Sequence, residues 1–214
     1  MGRGNVRNAA LVIAAGAFAY LVGDYFDVFG LVANPFDFAD AAERVAALQA
    51  DKTAWDVSNV LAGVGHVVTA IGLWMLGRSL AQSSNERRSQ VLATAASWAG
   101  LATGVWAVNS YFAVVRPIED VVAAFTDPTP ELVVTGLIYV LGVLILFVTL
   151  GLVLRRLGHI RWLAWTLLIV GPIAALSVFV IGTSLPTHLM FVLGLALSIS
   201  PVAKPREGQR ELSM

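Results

Sequence analysis

Six stretches of this chain, at about 8–30, 55–78, 91–115, 131–154, 161–181 and 185–201, are long, apolar and nearly free of charge. In hydrocarbon every backbone N–H and C=O must be satisfied within its own segment, which a helix of roughly 20 apolar residues achieves. The composition agrees: 57% of the 214 residues are hydrophobic and 13% are charged, outside what a soluble domain uses. The expected fold is all-α, a polytopic bundle of six transmembrane helices forming a single membrane domain over 1–214. The segments left over are too short for a second domain.

Formal charge is balanced, but its distribution along the chain is not. With the amino terminus cytoplasmic, Arg3, Arg7, Arg78, Arg87, Arg88, Arg155, Arg156, Arg161, Lys204, Arg206 and Arg210 fall inside, against Arg44, Lys52 and Arg116 outside. By the positive-inside rule this predicts a multi-pass protein of a bacterial inner (plasma) membrane with both termini cytoplasmic. Of the acids, only Glu86, Glu207 and Glu211 then lie inside. Arg3, Arg7 and the small-residue stretch Ala17-Phe18-Ala19 also look like a signal peptide. The apolar run continues to Ala33, however, with Asp24 and Asp27 in the same helical register, so the segment is expected to stay as the first span.

Several classes of chemistry are excluded by missing residues. There is no cysteine, hence no disulfide, thiolate metal site or iron–sulfur cluster. No lysine lies within a span to hold a retinal Schiff base, and no Walker motif is present to drive transport by nucleotide hydrolysis.

Local signals punctuate the spans. Asn34-Pro35 ends the first, and Asp37 with Asp40 reads as a capping pair opening a short helix at about 38–50. Its residues Phe38, Ala41, Val45 and Leu48 share one face, so it is expected to lie flat on the outer side. Thr53 with Asp56 repeats the capping pattern before the second span, and Thr129-Pro130-Glu131 opens the fourth. The loop from Pro117 to Pro128 has room for another surface helix. Pro172 predicts a kink in the fifth span. Gly100 and Gly104 form a small-xxx-small pair suited to close packing within the chain.

Helical spacing also gathers polar residues into faces. Asp56, Asn59, Gly63 and His66 share one side of the second span; Trp106, Asn109, Ala113 and Arg116 repeat the spacing on the third. Tyr20, Asp24 and Asp27 come from the first, Glu131, Thr135 and Tyr139 from the fourth, and Thr187 and His188 from the sixth. All map to the outer half of the membrane. His66 lies deepest, roughly 15 Å below Asp56 at 1.5 Å per residue. Ionisable groups at such depth face the interior rather than lipid. The spacing therefore predicts an outward-facing polar pocket, with Tyr20, Asp24, Asn59, His66, Trp106, Asn109, Arg116, Tyr139 and His188 as candidate ligand-binding residues.

Three functional readings follow. In the leading one the pocket binds or transports a small or lipidic ligand. In the second the protein is a membrane-embedded enzyme acting on a lipid or isoprenoid by carboxylate acid/base chemistry, with Asp24, Asp27 and His66 as candidates. In the third the stripe holds together a structural or accessory subunit. Membrane lipids are the expected partners, and nucleic acid is not. Neither metal nor cofactor is expected: His66, His188 and one of Asp24 or Asp56 is the sole conceivable ligand set, it contains no His-x-x-x-His or His-x-x-Glu-His pairing, and the two histidines differ in depth by most of a leaflet.

The turn Gly151-Leu152-Val153-Leu154-Arg155-Arg156 leads into Ile160-Arg161-Trp162-Leu163-Ala164-Trp165 and on to Gly171, and an Ala-rich outer helix spans Ala39 to Ala50. In these features the chain resembles small six-helix bacterial membrane proteins grouped as a domain of unknown function. The resemblance implies the same architecture and supplies no catalytic residues.

Overall fold

The computed structural model describes residues 3–26, 40–124, 126–158, 160–181 and 184–199. Among them all regular structure is helical: α1 (Arg3–Asp24), α2 (Ala41–Ala50), α3 (Lys52–Ser83), α4 (Arg87–Ala102), a 3₁₀ segment (Thr103–Trp106), α5 (Ala107–Val115), α6 (Ile118–Ala123), α7 (Pro130–Arg156), α8 (Arg161–Ile181) and α9 (Leu185–Ile199). Five stretches are long and apolar enough to cross a membrane: Gly4–Asp24, Lys52–Ser83, Arg87–Val115, Pro130–Arg156 and Arg161–Val178. The sixth expected span corresponds to α9, a 15-residue apolar helix below that length.

The long helices close into a ring. α1 packs against α3 and α9, α3 against α4, α4 against α7, α7 against α8, and α8 against α9. Lipid tails are as apolar as leucine, so close approach at small residues takes over much of the role that hydrophobic burial plays in water. The α1–α3 seam shows this: a Cβ on Gly65 would sit 2.4 Å from the backbone nitrogen of Tyr20, and one on Gly16 would sit 2.5 Å from that of Thr69. The Gly100 and Gly104 pair acts within the chain as expected, both facing α3 at Leu73 and Ala70. Ile13, Leu73, Leu76, Leu146, Phe147 and Leu150 fill the centre and are almost completely buried. Outward stand Val60, Val64, Leu141, Ile145, Ile169 and Ile173, each at least two-fifths exposed. A surface of this kind suits hydrocarbon.

The helix ends agree with the local signals in part. Asp40 caps α2, its carboxylate accepting from the Ala42 amide at 2.6 Å, and Thr129 accepts from Leu132 N at the start of α7. Thr53 does not open α3: that helix begins at Lys52, with Asp51 standing between α2 and α3. Asp56 is correspondingly no cap; it pairs with the Lys52 ammonium at 2.6 Å, an i, i+4 contact that favours a helix already formed at Lys52. α8 runs through Pro172. The acidic loop carries the short helix α6, whose Ile118 and Val122 bury Leu48 of α2, and Gln49 donates to Glu119 at 2.8 Å. Residues 27–39, including Asp27, Asp37 and the start of the expected surface helix, lie outside the described residues.

Antiparallel packing sorts the charges. Arg3, Arg7, Arg78, Arg87, Arg88, Arg155, Arg156 and Arg161 fall at one end of the ring, with Glu86 the one described acid beside them. Glu86 binds Arg156 at 2.8 Å. The other nine described carboxylates gather at the opposite end with Arg44, Lys52 and Arg116.

Candidate functional site

At the acidic end the sequence-predicted residues fall into three neighbouring groups. The first is a line of rings. Tyr20 of α1 lies 4.4 Å, centroid to centroid, from His66 of α3; Tyr139 of α7 meets the His66 ring edge-on at 5.6 Å; and Trp106 of the 3₁₀ segment lies 5.2 Å from Tyr139. His66 is only 3% exposed, and its Nε2 has no hydrogen-bond partner among the described residues. One turn further along α3, Thr69 Oγ1 is buried in the same condition, and Thr187 Oγ1 on α9 is buried beside the Tyr139 hydroxyl.

The second group ties helix ends together. The Tyr20 hydroxyl donates to the Asp24 carboxylate at 3.1 Å, so Asp24, itself exposed at the end of α1, is tied to the ring line through Tyr20. His188 Nδ1 lies 3.0 Å from the Ser184 carbonyl, which can only accept, so in the neutral ring this nitrogen carries the proton. Nε2 then accepts from the Tyr25 hydroxyl at 2.8 Å. This contact links the end of α1 to the start of α9.

The third group lines a pocket of about 220 Å³ between α3, α5, α6 and α7. Asn59, Trp106, Asn109 and Arg116, all on the predicted faces, contribute to it together with Trp55, Phe112, Asp120 and Leu132. Trp106 is the wall shared with the ring line. Tyr20, Asp24, His66, Tyr139 and His188 do not line this pocket.

Hydrogen bonds fix part of the lining and leave part open. Trp55 donates its indole N–H to the Ala113 carbonyl at 3.2 Å, and the Asn59 amide donates to the Trp55 carbonyl at 3.0 Å. Thr135 has a single hydroxyl proton, with the Glu131 carbonyl and the Asn109 side-chain oxygen both at 2.8 Å. Whichever way the Asn109 amide is turned, one of its polar atoms meets Thr135; the other, Nδ2 as placed, is buried without a partner. The Arg116 guanidinium stacks over the Phe112 ring at 4.3 Å and forms no salt bridge among the described residues, with the Glu131 carboxylate within electrostatic reach. Aromatic walls, an unsatisfied amide and a guanidinium outside any salt bridge can together hold an amphiphile by a polar head and an apolar body.

The helical faces read from the sequence did not include Trp55, Phe112 or Leu132 as pocket walls. Phe112 precedes Arg116 by one helical turn, a spacing that signals the stacking. Among the described residues no three histidine, aspartate or glutamate side chains converge as metal ligands, and Asp24, His66 and His188 are engaged separately. Comparison of the chain with protein-family models, with curated proteins and with solved structures finds no match.

Proposed function

We propose that this chain is a six-span integral protein of a bacterial inner membrane, with both termini cytoplasmic, whose acidic-end pocket binds a small or lipidic ligand. Two features support the topology: α9 occupies the place in the ring between α1 and α8, and the arginine-rich end suits the cytoplasmic side. The observation that carries the binding reading is the open valence of the pocket wall, where Asn109 keeps a buried polar atom without a partner among the described residues, beside an Arg116 that forms no salt bridge with them. A buried unsatisfied polar group costs about 1–3 kcal/mol, which a ligand or water supplying the missing bond recovers. In this reading a polar or anionic group meets Arg116 and Asn109 while the apolar part lies on Trp55, Trp106 and Leu132. Apolar packing beneath Thr69, from Leu73, Leu76 and Phe147, favours binding over passage through the bundle. The likeness to six-helix bacterial membrane proteins belongs to the same proposal.

The test is native mass spectrometry of the purified chain and of Asn109→Leu and Arg116→Gln variants. The parent should carry a co-purifying small molecule that both variants lose. Retention unchanged in both variants refutes the reading.

A further inference from the structure

A second crevice lies at the opposite end of the ring, between α3 and α4. It encloses about 400 Å³ and is lined by Trp74, Arg78 and Gln82 of α3 and by Thr94, Ser97 and Trp98 of α4, with Ala81 at its edge. Its floor is set by direct contact of the two helices: a Cβ on Gly77 would sit 2.6 Å from the Ser97 nitrogen, and the Ser97 hydroxyl donates to the Trp74 carbonyl at 2.8 Å. The Thr94 hydroxyl is turned inward on its own helix, donating to the Gln90 carbonyl. What remains to meet a visitor is the Gln82 amide, one guanidinium and two indole rings. The Arg78 guanidinium lies over the Trp74 ring at 5.0 Å and has no carboxylate partner among the described residues, the one acid at that end being held by Arg156. Trp98 faces it from α4, 63% exposed.

The crevice also continues an outward apolar track. On α3, Val60, Val64, Val67 and Ile71 stand exposed at helical spacing and lead to Trp74 and Arg78; on α4, Leu101 leads to Trp98. An acyl chain lying along this track brings a lipid headgroup to the guanidinium. Tryptophan and arginine at a span end match the chemistry of the membrane–water boundary.

We propose that this crevice is a specific site for an anionic phospholipid, its phosphate bound by Arg78 between the two indole rings and its acyl chains seated along α3 and α4. Basic clefts between transmembrane helices select anionic headgroups because the guanidinium can donate two parallel hydrogen bonds to phosphate oxygens. The site is separate from the acidic-end pocket and does not depend on the reading of that pocket.

The test uses the full chain in detergent micelles, titrated with phosphatidylglycerol or with phosphatidylcholine of the same acyl chains and read by native mass spectrometry. Phosphatidylglycerol should be retained with at least about fivefold preference, the effect of one arginine near a charged headgroup. Arg78→Gln should erase that preference. Arg161→Gln, a control at an exposed arginine of the same end, should leave it intact. Circular dichroism confirms that both variants fold; should Arg78→Gln not fold, Trp98→Leu should weaken the preference in its place. Equal retention of the two lipids overturns the proposal, as does a preference that survives Arg78→Gln. So does equal erosion by Arg161→Gln, which reports diffuse charge, or displacement of the lipid by inorganic phosphate, which reports a free-anion site.

Discussion

Replacing Gly65 by alanine tests the packing that holds α1 to α3. The added Cβ would fall 2.4 Å from Tyr20 N and 2.7 Å from the Gly16 carbonyl oxygen, where ordinary contact needs 3.4–4 Å. Both obstacles are backbone, so no side chain can swing aside and the helices must part by about 1 Å. Overpacking of this kind costs about 1–3 kcal/mol. Alanine returns about 0.5–1 kcal/mol in helix propensity, leaving a net loss centred on about 1 kcal/mol and no larger than about 2.5 kcal/mol. Because Tyr20 is the residue pushed, its 4.4 Å stacking with His66 should loosen as well. The assay is reversible unfolding in mixed micelles with increasing SDS, followed by circular dichroism, alongside Gly4→Ala, a site with nothing within 4 Å of the new Cβ. Gly4→Ala should be neutral or slightly stabilising. If Gly65→Ala matches it, the close approach of α1 and α3 is not real and the reasoning fails.

Other perturbations have smaller and separable outcomes. Tyr20→Phe removes the hydrogen bond to Asp24 but keeps the ring against His66, so it should cost about 0.5–1.5 kcal/mol in the same unfolding assay. Glu86→Gln breaks a pair whose side chains are 37% and 55% exposed, so its effect should stay below about 1 kcal/mol and vanish in high salt. Asp40→Ala removes the cap of α2, worth about 1 kcal/mol, and should speed hydrogen exchange at the α2 amides about fivefold, with no change in α7.

The long elements were legible because hydrocarbon leaves a chain few choices: an apolar run without charges is a helix, and its limits lie where charges resume. Arg156 and Arg161 bracket the α7–α8 turn for that reason. Thr129 was legible as a cap because its chemistry is local, whereas at the surface helix the pattern pointed to Asp37, outside the described residues, and the cap of the described helix is Asp40. Thr53 and Asp56 misled because the i, i+3 capping pattern takes no account of Lys52, which stands four residues before Asp56 and pairs with it. The candidate site was legible as faces but not as partners. Spacing placed His66 and Asn59 on one side of α3, yet α1 reaches His66 through Tyr20 while α5 and α6 enclose the volume beside Asn59. Which neighbour meets which part of a face depends on helix contacts that a single chain's periodicity does not encode.

The 3₁₀ segment at Thr103–Trp106 has a consequence for the pocket that follows from arithmetic. A 3₁₀ helix turns 120° per residue and an α-helix 100°, so four residues in the tighter winding advance the following side chains by roughly 80°. α5 therefore does not keep the phase an unbroken α-helix would give it: Val108 and Tyr111 come into line with Trp98 and Leu101 on the outward face, and Asn109 and Arg116 take their aim from the same offset. Each residue of the segment that relaxes to α-geometry turns them back by about 20°, making those four positions a vernier for the aim of both side chains.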